Sequence, residues 1–224
     1  MQYVSVSAAS ALILAGLVAA SPARAADVQE GRFTVDPATV VELPLGVTDI
    51  DFNFDGKPGR VVAIYTDITS AHNNTNYLFA SNKWNAIPFE PGDNSDTPKG
   101  LDFPKIHDGF ATSQGADYRL KNIRLLRDEK AKKIYAVVAI RPFGNSWVDS
   151  KPVTIELFTF TNASANRIDG VAPEYFRLTS WFKTQRCYPD ADWAMLVELG
   201  LKLPQGEEQD APSKSKMSQP CTKS

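Results

Sequence analysis

Strand-forming stretches recur along this 224-residue chain and leave little room for anything else. "GRFTVD", "TVVELPL", "RVVAIYTD", "TNYLFAS", "KWNAIPF", "ADYRLKNIRLLR", "KKIYAVVAIRPF" and "PVTIELFTFT" are rich in β-branched and aromatic residues, and most are bounded by Gly, Pro, Asn or Asp. In "YRLKNIRLLR", Tyr118 and Leu120 alternate with Arg119 and Lys121, and "VTIELFTF" alternates as well. That pattern fits strands with one buried and one wet face. "DEKAK" at 128–132 reads as a hairpin loop. The Pro-, Gly- and Asp-rich stretch from about Pro88 to Thr112 reads as a longer loop over one end of the sheet. The expected architecture is mainly β: a single antiparallel, sandwich-like domain over 26–203.

One helix interrupts this pattern. Asp190 is placed to cap "ADWAMLVEL", Asp192 lies in the first turn where negative charge meets the helix dipole, and Gly200 ends the run. Trp193, Leu196, Val197 and Leu201 are expected to form the buried stripe of this short C-terminal helix. Beyond it the composition turns to Gln, Glu, Lys, Ser and Pro, so 204–224 reads as a polar tail.

The first 25 residues read as a signal peptide. The apolar run "ALILAGLVAA" is too short to span a bilayer, and "SPARA" supplies small residues at Ala23 and Ala25 for cleavage. Export to the periplasm is the expected fate. Cleavage removes Arg24 alone among charged residues, leaving 23 basic against 26 acidic side chains and a net charge of −3. A chain of that charge is not expected to bind nucleic acid or an anionic membrane, both of which need a basic face.

Two cysteines, Cys187 and Cys221, remain after cleavage. In an oxidising compartment an even pair predicts a disulfide, here one that ties the tail back to the body. With two Cys and two His in the whole chain, a structural zinc site is not expected.

Four constellations could carry chemistry. Asp49, Asp51, Asn53 and Asp55 precede Gly56, and the D-x-N-x-D-G pattern from Asp51 is that of calcium loops, in which alternate side chains converge on one point. Two ligand positions are missing: the bidentate Glu of an EF-hand falls on Val62, and the later acid of a short calcium hairpin falls on Gly59. Calcium is therefore an optional cofactor. The competing reading is a turn whose acids cap backbone groups.

Ser180 and Lys183 make S-x-x-K, the spacing of β-lactamases and penicillin-binding enzymes, but their S-D-N and K-T-G partners do not occur, and the tail repeats the spacing at Ser213 and Lys216. His72 and His107 lack a nucleophile turn to serve. No enzyme is expected. Finally, "RPFGNSWVDSKP" gathers Arg141, Phe143, Trp147 and Lys151 around one loop, a mixture suited to a carboxylated small molecule or a protein patch, unless the aromatics fold under the sheet.

The ordered blocks "DIDFNFDGKPG", "AHNNTNYLF", "GADYRLKNIRLLR", "YAVVAIRPFGNSWVDSKPVTIELFTF" and "RCYPDADWAMLVELG" resemble the carbapenem self-resistance (CarG-like) family, over most of 45–200. The resemblance implies an exported protein that protects periplasmic targets from β-lactam without hydrolysing it. It also implies a partner, such as a second resistance protein or a cell-wall synthesis enzyme. Members carry a "DLDNDG"-type loop and often a Cys in the "GAD" segment. Here Gly59 and Tyr118 depart from that pattern, and the family's disulfide is re-routed to Cys187 and Cys221. The alternative from another class is a calcium-stabilised extracellular interaction module built on the Asp-rich loop.

Overall fold

The computed structural model describes residues 28–35, 40–69, 72–90, 109–115, 118–163, 172–203, 212 and 216–221. The N-terminal segment read above as a signal peptide, His107, the middle of the long loop and most of the tail lie outside them. Among the described residues, no helix is long and apolar enough to cross a membrane.

The chain is mainly β, and its strands join into one large mixed sheet. Four long strands form its centre: β9 (Tyr118–Asp128), β10 (Lys133–Ile140), β11 (Lys151–Asn162) and β12 (Glu174–Tyr188). All three neighbouring pairs are antiparallel, with Ile140 opposite Lys121 and Thr154, and Glu156 opposite Trp181. On the far side of β9 follow β8 (Ser113–Gly115), β5 (His72–Ala80), β4 (Gly59–Thr69) and β3 (Gly46–Ile50). β7 (Gly109–Ala111) also pairs with β5.

The outer edge of β12 is covered in three pieces. β6 (Phe89–Glu90) and β1 (Gln29–Glu30) run parallel to it at Phe176 and Ser180, and β13 (Gln219–Pro220) runs antiparallel at Arg186 and Cys187. The two parallel pairings are the departure from a purely antiparallel sheet. The stretch leading into β6 also returns to β5, where Ala86 bridges Ala80 and the Ile87 amide donates to the Phe79 carbonyl at 2.8 Å. One half of the sheet therefore curls over the other.

Between the halves lies a core of phenylalanines. Phe89 and Phe176 stack at 4.7 Å, and Phe79, Phe158 and Phe160 meet them edge-on at 5.2–5.7 Å. Each such pair is worth about 0.5–1.5 kcal/mol beyond the area it buries. A second apolar cluster, with Leu126, Val137, Ile155, Phe182 and Met195, fills the outer face of β9–β12. Two elements cover it: the helix α1 (Ala191–Leu199) and a strap formed by 31–35, which crosses the face before β2 (Val40–Val41) pairs with β9.

Asp190 caps α1 by accepting from the amides of Asp192 and Trp193, and Gly200 ends it at φ +73°, a left-handed conformation that costs glycine nothing. The buried stripe differs from the expected one. Ala191, Asp192, Ala194 and Met195 are the buried positions in the helix; Leu201, just past it, is buried too, while Trp193 and Val197 are half-buried at the cluster's margin. The short side chains let the helix backbone lie close to the sheet.

Cys187 and Cys221 form a disulfide with their Cα atoms 5.0 Å apart. Closing a loop of this length removes roughly 3–4 kcal/mol of chain entropy from the unfolded state. The bridge holds β13 against β12.

Candidate functional site

The Arg141–Lys151 loop joins β10 to β11. Arg141 is buried at 2% exposure, so it does not offer its charge to an open face. Its guanidinium donates inward to the carbonyls of Pro142, Phe143, Trp147 and Asp149, and burial pushes its pKa down. A planar, always-charged fork suits this work, because one side chain gathers several diverging carbonyls. Asp149 completes the loop by accepting from the Asn145 amide at 2.7 Å and from the Ser146 hydroxyl at 2.9 Å, and these bonds hold its carboxyl below the usual range. Arg141 thus serves as the organiser of the loop.

The aromatics are displayed by this scaffold. Trp147 stacks on His72 at 4.7 Å and meets Phe143 edge-on at 5.3 Å, so sequence-distant His72 joins the group. Phe143 is 46% exposed and Val148 56%. Gly115, paired with His72 in the sheet, makes the stack possible: a Cβ there would meet His72 Nδ1 at 2.3 Å and Trp147 at 2.8 Å. Lys151 runs past Gly144 beside Asp149. Phe143, Trp147, Val148 and Lys151 therefore form an amphipathic platform, exposed at Phe143 and Val148, with the mixture of aromatic and cationic groups found at protein interfaces.

The Asp-rich loop spends its oxygens on its own backbone. Asp51 accepts from the amides of Asp55 and Gly56 at 3.1 and 2.8 Å, Asn53 accepts from Asp55, and Asp55 accepts from Lys57 at 2.8 Å. Asp49 turns away to Arg60 at 3.2 Å. Arg127 and Lys132 both lie over the Phe54 ring within about 5 Å, adding positive charge beside the loop. Among the described residues, no group of three or more His, Cys, Asp or Glu is arranged to hold a metal ion.

Ser180 gives its hydroxyl to the carbonyls of Gln29 and Gly31, which pins the strap. Lys183 lies three residues along the same strand, where side chains leave by the opposite face.

Two buried clusters escaped the sequence reading. Asp192 receives Arg119 at 2.6 Å, Arg124 at 2.8 Å and the Asn122 amide at 2.8 Å. Burial alone would raise its pKa, but Arg124 and Arg119 outweigh that and hold the carboxyl below the usual range, whereas burial and Asp192 push neighbouring Asp190 up to about 7. Glu156, fully buried in β11 near Lys121, has no hydrogen-bond partner for either oxygen among the described residues. Burial pushes it up to about 8 and pushes the Lys121 amine down, while Phe110 presents its ring 4.3 Å from that amine. The available signal for Glu156 was a charge in an alternating strand on the same side as Phe158.

No protein-family model matches the chain, and no curated protein matches it. Among solved structures, the crystal structure of CarG is similar to this fold: it superimposes with a TM-score of 0.54 at 22% identity, over 72% of this chain and 98% of that one. That likeness establishes a shared CarG-like fold.

Proposed function

We propose that this protein is an exported, non-catalytic protector that shields periplasmic targets from β-lactam without hydrolysing the drug. The observation that carries the reading is the CarG-like fold, in a chain whose ordered sequence blocks resemble the carbapenem self-resistance family. Three features are consistent with it. The disulfide suits an oxidising compartment. The Ser180 hydroxyl is engaged with the carbonyls of the strap. The Phe143–Trp147–Lys151 platform offers aromatic and cationic groups to a partner, such as a cell-wall synthesis enzyme or a second resistance protein.

The test is carbapenem susceptibility of a sensitive Gram-negative host carrying the full chain or one lacking residues 2–25. Protection that requires the N-terminal segment, with drug intact in the medium, supports the reading. Destruction of the drug replaces it with an enzyme. Absence of protection, with folded protein in the periplasm, overturns it.

A further inference from the structure

The sheet ends differently at its two sides. The edge of β12 is covered by β1, β6 and β13. At the opposite end, β3 pairs with β4 along all five of its residues, and among the described residues no strand pairs with its other side. A bare edge presents unpaired amides and carbonyls, and proteins that keep such an edge to themselves commonly place Lys or Pro on it. Gly46–Ile50 carries neither. Its one charge, Asp49, is paired with Arg60 of the same molecule at 3.2 Å.

The side chains beside this edge are apolar on the outward face. Thr48, Val61 and Phe79 form one cross-strand row, in which Val61 and Phe79 belong to the core. The adjoining row, Val47, Val62 and Leu78, therefore faces outward, because neighbouring positions along a strand leave by opposite faces. Val47 is 61% exposed, and Leu78 and Ile64 are exposed with it. Arg60, two positions before Val62, lies 4.4 Å from the exposed Trp84 ring. The outer face of β9–β12 has the helix and the strap to cover its apolar residues; that of β3–β5 has neither.

We infer that β3 pairs with β3 of a second copy of this chain, antiparallel about a two-fold axis centred on Val47. Such an interface must complement itself, and the side chains select the register. Centring on Asp49 sets two carboxylates directly opposite one another, which is unfavourable. Centring on Thr48 sets each Val47 against an acid. Centring on Val47 sets valine against valine and joins the two Val47–Val62–Leu78 rows into one apolar band. It also separates the two Asp49 residues by about 13 Å along the strands, so each keeps its own Arg60. Another protein's strand could satisfy the backbone, but a second copy brings the matching row. A five-residue edge is a small contact, so association in the micromolar range is expected. His72, which stacks on Trp147 of the platform, lies at the far end of β5 from Leu78, about 20 Å along the strand, so the two surfaces are separate.

Sedimentation equilibrium of the purified protein with its disulfide closed, from about 5 to 200 µM, tests this. A monomer–dimer equilibrium is expected. Val47→Lys sets two ammonium groups together across the axis and is expected to weaken the dimer about tenfold or more, with circular dichroism confirming that the variant is folded. Val47→Cys reports the register: on oxidation it is expected to give a dimer on a non-reducing gel, whereas Asp49→Cys, with its two copies too far apart to bridge, is not. A wild-type protein that stays monomeric over the whole range overturns the pairing, as does a dimer that folded Val47→Lys leaves intact. Crosslinking through Asp49→Cys in place of Val47→Cys overturns the register.

Discussion

Asp192 and Arg124 meet at 2.8 Å beneath the helix, with 2% and 11% of their side chains exposed. The first helical turn is thereby bolted to the middle of β9, 68 residues earlier. Removing one partner strands a buried guanidinium, a loss of about 3–5 kcal/mol. Asp192→Ala is therefore expected to lower the urea midpoint sharply, with the slope of the transition unchanged. Arg124→Met, which keeps the stem and leaves Arg119 and Asn122 to serve the carboxylate, is expected to cost less than Asp192→Ala.

Glu156 gives the fold a pH dependence of definite sign. The folded chain keeps this carboxyl protonated up to about pH 8, while an unfolded Glu releases its proton near 4.5. Between those values the folded state holds the extra proton, so stability falls as pH rises and levels off above about 8. Asp190, raised to about 7, adds to the decline in the lower part of that window. The expected slope is on the order of 1 kcal/mol per pH unit. Denaturation measured from pH 5 to 8 should show it, and Glu156→Gln should reduce it, leaving only the share of Asp190 below about pH 7. An equal slope in the variant would assign the dependence elsewhere.

Gly115 holds open the space for the His72–Trp147 stack. Gly115→Ala forces a methyl group against both rings, at an expected cost of about 1–3 kcal/mol. Near-ultraviolet circular dichroism and tryptophan fluorescence should change, because Trp147 must move. If the platform is the partner surface, host protection should drop in a variant that remains folded at growth temperature.

The Asp-rich loop should behave as a turn. Asp51→Ala removes the acceptor for two amides and is expected to cost about 1–2 kcal/mol. Treatment with EDTA is expected to leave the wild-type Tm unchanged. A fall in Tm on chelation, restored by calcium, would instead make this loop a metal site.

How far the sequence disclosed this molecule differs from element to element. Central strands such as "KKIYAVVAIRPF" were legible because packing on both faces demands continuous apolar runs, and the helix ends were legible because Asp190 and Gly200 act locally. β12, the longest strand among the described residues, lacks the clear strand pattern of its neighbours. Its apolar residues Phe176, Leu178 and Phe182 are interrupted by Arg177, Lys183 and Gln185, because part of it faces water beyond the cover of β1, β6 and β13. "GRFTVD" and "KWNAIPF" have strand composition but act mainly as strap and bridge, since apolar residues also serve to cover a sheet. At the site, residue types were legible but directions were not. Arg141 turns inward because loop carbonyls need donors, and the joining of Trp147 to His72 depends on sheet order, which neither local stretch encodes.

The three pieces that seal β12 come from residues 29–30, 89–90 and 219–220, nearly the full span of the chain. Loop closure over such distances is slow, and an uncovered strand edge is a template for pairing with a neighbouring chain. The edge of β12 is thus the seam where folding finishes. Until the tail is oxidised onto Cys187, a newly made molecule keeps part of that seam open, so the rate of disulfide formation governs how long it is prone to self-association as well as how stable it becomes.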